Sequence, residues 1–142
     1  MNAVNTASHK AIWAGRILTG VVAIALMGSA ITRIAGVPKV VEGLTHAGIP
    51  ASAVLPTAVL ELTCLGLYLF PRATLLGALL ITGFLGGDTL THVIGRENIF
   101  PPLLISLLSW AGAYLRIPEL RSLLPLIKEN EGMESYSRVG HA

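Results

Sequence analysis

Residues 73–94, ATLLGALLITGFLGGDTLTHVI, decide the fold. The stretch is oily almost throughout, yet near its end it holds an acid, Asp88, and an imidazole, His92, one helical turn apart. A bilayer core of about 30 Å is crossed by a helix of about 20 apolar residues, and this segment has that length and character. Two ionisable groups in such a helix are costly against lipid, so they are expected to face a polar interior.

Composition supports the membrane reading. The chain has 142 residues, 53% of them hydrophobic and 13% charged, with a mean hydropathy of +0.69. A soluble domain carries roughly twice that charged fraction. The net charge of +2 is spread over segment ends without a dense basic patch, which argues against a nucleic-acid partner. A single cysteine, Cys64, excludes an internal disulfide and a CxxC redox pair. The four histidines are too scattered to form a metal motif.

Three more runs resemble the first in length and oiliness. Residues 12–35 are broken only by Arg16 and Arg33, residues 53–70 contain Pro56 and Glu61, and the last run covers about 99–115. Pro71 and Arg72 alone separate the middle two, which makes an antiparallel hairpin, and GREN forces a tight turn before the last. Backbone groups in lipid must be satisfied within their own segment, which helices achieve without partners. The predicted fold is therefore all-α, an integral membrane bundle of four transmembrane helices. In the first loop Pro38 opens a short amphipathic helix with Val37, Val40, Val41 and Leu44 on one face. The organisation expected is a polar N-terminus at 1–10, the membrane domain at 11–127, and a polar, disordered tail at 128–142. The tail from Arg116 begins with another amphipathic piece, PELRSLLPLIKEN, starting at Pro118.

Lysine and arginine set the orientation. Alternating spans put Lys10, Arg16, Arg72, Arg116, Arg121, Lys128 and Arg138 on one side and Arg33, Lys39 and Arg96 on the other. Both termini are accordingly predicted to be cytoplasmic. A cleavable leader competes for the first run, which passes through Met-Gly-Ser-Ala. Apolar character continuing past Ser29 to Ala35 favours a retained span.

The polar residues inside the spans fall into stripes. On the second span Thr57, Glu61, Cys64 and Tyr68 recur at helical spacing; on the third Asp88 and His92 share a face; on the first Ser29 and Arg33 do. Pointed inward, they would line a pocket open to the outer side; whether Arg33 pairs Asp88 there is left open by the residues. The candidate ligand-binding set is Glu61, Asp88, His92, Arg33, Thr57 and Cys64. Cys64 reads more readily as a packing residue, because no cation obviously activates it. Gly83 and Gly87, with Ala78, Thr82 and Gly86, form small-residue faces for a neighbouring helix or a second copy of the chain. No complete catalytic set and no cofactor site is evident from the residues, so whether the protein is an enzyme stays open.

The order GRILTG, AGIP, ELTCLGLYLFPRATLLGALLITGFLGG, THV and WAGAYLRIPELRSLLP resembles the DoxX-like family of small four-helix membrane proteins. The likeness covers about residues 13–125 and is strongest from Cys64 to Val93, where it marks Gly86, Gly87, Thr91 and His92 as family-pattern positions. Relatives often carry an acid and a lysine where Ser29 and Arg33 stand, and a small residue in place of Asp88. The family name derives from a subunit of a thiosulfate:quinone oxidoreductase. The resemblance thus implies a bacterial inner-membrane protein accessory to a redox or quinone-linked process, with quinone as its cofactor and a membrane redox complex as its partner. The alternative from the residues is a binding protein or enzyme for a small lipophilic molecule.

Overall fold

The computed structural model describes residues 3–117 and Leu120, with side chains from His9 onward. The expected tail at 128–142, and the amphipathic piece before it apart from Leu120, lie outside the described residues. Five helices follow one another: α1 (Ala3–Ile34), α2 (Pro38–His46), α3 (Ala51–Leu69), α4 (Thr74–Ile94) and α5 (Phe100–Arg116). There is no strand among the described residues.

Three of the helices, α1 from His9 to Ile34, α3 and α4, are long and apolar enough to cross a membrane. The fourth expected span corresponds to α5, whose 17 residues rise about 26 Å, slightly short of a bilayer core. Helix α1 starts earlier than the oily run suggested and covers 32 residues, because nothing between Ala3 and Ile12 breaks a helix.

The long helices form a ring in which α1 packs on α3 and α5, and α4 closes it by packing on the same two. The short α2 lies across the ends of α1 and α3. It follows a turn at Gly36, whose φ of +63° suits a residue without Cβ. Pro38 begins it because a missing N–H costs nothing in the first turn. Leu44 on its inner face is buried, and Val40 and Val41 are half-buried.

Polarity runs from inside to outside in the sense a membrane requires. Ile24 and Leu107 are 77% and 67% exposed, whereas Glu61 is 1% exposed and Thr19, Thr74, Ser109 and Arg33 are also buried. Lipid replaces water as the solvent of the outer face, so the few polar groups turn toward one another.

At the end of the bundle away from α2, the helices meet closely. Tyr68 is fully buried, and its hydroxyl donates to the Ser109 carbonyl at 2.8 Å. Arg116 reaches from α5 to the α3–α4 turn, donating to Thr74 Oγ1 at 2.7 Å and the Tyr68 carbonyl at 3.1 Å. Trp110 Nε1 donates to Thr82 Oγ1 at 2.7 Å, joining α5 to α4. The hairpin depends on Gly77, where a Cβ would overlap the backbone of Tyr68.

The small-residue faces need one correction. Gly83, Gly86 and Gly87 are exposed and have nothing within 4 Å of a Cβ position, so they pack no helix of this chain. Alternation around α4 turns Ala78 and Ile81 inward and those glycines outward. Gly77→Ala is therefore expected to destabilise the bundle by about 1–3 kcal/mol through overpacking. Gly86→Ala, with open space for its methyl inside α4, is expected to be stabilising by up to about 1 kcal/mol. Thermal unfolding of both variants in one detergent checks the contrast.

Candidate functional site

The opposite end of the ring is open. A cavity of about 360 Å³ lies under α2, between the C-terminal ends of α1 and α4 and the N-terminal end of α5. Its walls are largely apolar, with Leu26, Leu44, Leu85 and Ile105 among them, and Pro101 and Pro102 begin α5 at its edge. These prolines occupy the first turn, where their missing N–H groups leave no helical bond unmade. Asn98 accepts from the Phe100 N–H at 3.0 Å and satisfies that turn.

The polar floor is centred on Arg33, near the end of α1. Its Nη2 donates to Oδ1 of Asp88 on α4 at 2.8 Å, and its Nη1 lies 3.5 Å from Oε2 of Glu61 on α3. Ser29, one turn earlier on α1, sends its Oγ to the same Glu61 oxygen, a long contact at 3.4 Å. The Arg33 guanidinium also lies 5.3 Å from the centre of the Phe84 ring. One cation thus ties three helices together, with side chains 7% exposed for Arg33, 1% for Glu61 and 16% for Asp88. Charged groups inside a spanning bundle are costly unless they pair in this way.

His92 lies nearer the mouth. Its Nδ1–H donates to the Asp88 carbonyl at 3.1 Å, and Nε2 faces Glu97 at 4.0 Å. Glu97 is 57% exposed, so this pair contributes little to stability. Thr32 and Thr91 also line the cavity, with their hydroxyls bonded to the carbonyls of Ser29 and Asp88. Lys39 from α2 lines its rim.

Of the residues singled out from sequence, Arg33, Glu61, Asp88 and His92 come together on this cavity. Thr57 and Cys64 do not line it. Thr57 is half-buried and donates to its own Val54 carbonyl at 2.7 Å. Cys64 is buried in the apolar core with Val22, Leu65 and Ile81. Of the stripe on α3 only Glu61 reaches the cavity; Cys64, toward the closed end, lies in the apolar core. Sequence reasoning missed Lys39, Glu97 and the α5 prolines, which sit in or beside turns where periodicity carries no signal. Arg116, counted from sequence only toward the orientation, folds its side chain back onto Thr74 and Tyr68. Ser29 sits beside the charged group, its Oγ 3.4 Å from Glu61 Oε2. Among the described residues, no three His, Cys, Asp or Glu side chains converge as metal ligands would.

Ring, oily exterior and charged floor define a helical membrane protein with an internal polar cavity. Residues 17–112 match the DoxX-like family, and the chain belongs to that family. No curated protein and no solved structure matches it.

Losing the shared cation leaves two buried carboxyl groups without compensation. Arg33→Met is therefore expected to cost roughly 3–5 kcal/mol. Adding Glu61→Gln and Asp88→Asn to Arg33→Met is expected to recover more than half of that loss. Unfolding of the two variants in mixed micelles measures the difference.

Proposed function

We propose that this DoxX-like protein binds a small amphiphilic molecule in the cavity between α1, α2, α4 and α5. The observation that carries the reading is a pocket with an apolar wall and a small, convergent, buried polar floor. Small-molecule sites have this composition, and about 360 Å³ lies at the lower end of their usual range of about 300–1,000 Å³. Leu26, Leu44, Leu85 and Ile105 would take the ligand's apolar body, and Arg33, Glu61 and Asp88 its head.

The proposed setting is a bacterial inner membrane crossed four times. Helix α5, packed on α1 and α4, would complete the set, with both termini cytoplasmic and the cavity on the outer side. The distribution of lysine and arginine supports that orientation. A competing reading has quinone as the occupant and a membrane redox complex as the partner. What supports it is family membership, through the family's namesake subunit.

A thermal-shift panel of lipids, quinones and small amphiphiles tests the binding reading. At least one compound is expected to raise the Tm of the detergent-solubilised protein. Filling the cavity with Ile105→Trp is expected to abolish that shift while preserving the folded protein. A full shift in the filled variant would place the ligand elsewhere.

A further inference from the structure

The floor of the cavity has more acceptors than donors. Ser29 and Arg33 both approach the same Glu61 oxygen, Oε2, and the Arg33–Asp88 bond falls on Oδ1. Among the described residues, no hydrogen bond is made to Oε1 of Glu61 or to Oδ2 of Asp88. Glu61 is nevertheless 1% exposed and lines the cavity.

The neighbouring donors do not supply what is missing. The Thr32 and Thr91 hydroxyls are spent on the Ser29 and Asp88 carbonyls, and the His92 Nδ1–H on the Asp88 carbonyl. Lys39 and Glu97 are exposed at the rim, of opposite charge to one another. One guanidinium therefore serves two carboxyl groups on the floor of the cavity. Because no buried side-chain oxygen among the described residues lacks a partner, Oε1 of Glu61 and Oδ2 of Asp88 are accessible from the cavity, and a ligand that brings donors answers them directly.

We propose that the cavity selects a small amphiphile with a single cationic, donor-only head, an alkylammonium. An ammonium has three N–H donors and no acceptor, so it can address Glu61 Oε1 and Asp88 Oδ2 together. Its charge also gives the second carboxyl group the counterion that Arg33 alone does not provide. A quinone or carboxylate head brings only acceptors to a floor already rich in them. The alkyl body fits against Leu26, Leu85 and Ile105. This inference rests on the cavity being a binding site, as proposed above, and adds the chemistry of the head.

Titration of the nanodisc-embedded protein with a matched set tests it: phenylbutylamine, phenylbutanol, phenylbutyrate and a tailless benzoquinone. The amine is expected to bind tightest, at least about tenfold tighter than the carboxylate, as one charge-assisted hydrogen bond allows. Asp88→Asn and, independently, Glu61→Gln are expected to weaken the amine by about tenfold each while hardly changing the alcohol. Phenylbutyrate or benzoquinone binding as tightly as the amine would overturn the head-group assignment and leave the cavity reading standing. Amine affinity unchanged in both variants would overturn it equally. Failure of all four compounds to bind would overturn the cavity reading as well.

Discussion

A guanidinium shared between two carboxyl groups is the constraint on which one half of this bundle depends. Lipid offers no hydrogen bonds, so an acid placed at the middle of a spanning helix must find its partners inside. Glu61 finds them across the bundle, in Arg33 and Ser29 of α1. Asp88 meets the same guanidinium from α4. The pairing fixes the relative rotation of three helices, because each must present one particular side chain to the centre. It is also expensive, since charged groups so placed repay their desolvation only with good geometry. An apolar replacement would pack as well and serve stability at least equally. That points to a role for the charges beyond holding the helices together.

The two ends of the ring solve the same physical problem in opposite ways. At the end bearing the α3–α4 turn, a glycine against Tyr68 brings the helices into contact, and hydroxyls and carbonyls answer Tyr68 and Arg116 without leaving space. At the other end, α2 and the proline-led start of α5 hold the helices apart, and the polar groups border a cavity. A closed polar cluster is a clasp. An open one borders a cavity and suits the amphiphile proposed here. The contrast lies in the packing, since both ends contain an arginine and hydroxyl-bearing side chains.

Much of this was legible in the residues. Oily runs of spanning length gave the helices, the Pro71–Arg72 turn gave the hairpin, and Pro38 with its valines gave α2. The proximity of Arg33 and Asp88 could be foreseen because both residues sit near span ends on one side of the membrane. What failed was the face of a helix at finer resolution. Thr57, Glu61 and Cys64 share a stripe on α3, yet only Glu61 lines the cavity, since Thr57 bonds within its own helix and Cys64 sits in the apolar core. The glycines of α4 looked like a packing seam, but the helix rotation that buries Ala78 and Ile81 turns them outward. Rotation and splay are set by which side chains meet across the bundle. A single sequence records those meetings only when charge makes them obvious.

The central claim is that the charged floor lies in a wet cavity inside a ring whose outer face meets lipid. Spin labels attached to Thr32→Cys and, separately, to Ile24→Cys, each in a Cys64→Ser background, test it most directly. Thr32 lines the cavity and Ile24 is exposed on the outer face. The label at position 32 should be relaxed by a water-soluble nickel chelate, and the label at position 24 by oxygen dissolved in the bilayer. The reverse pattern, or a label at 32 responding only to oxygen, would put the floor against acyl chains and contradict the account.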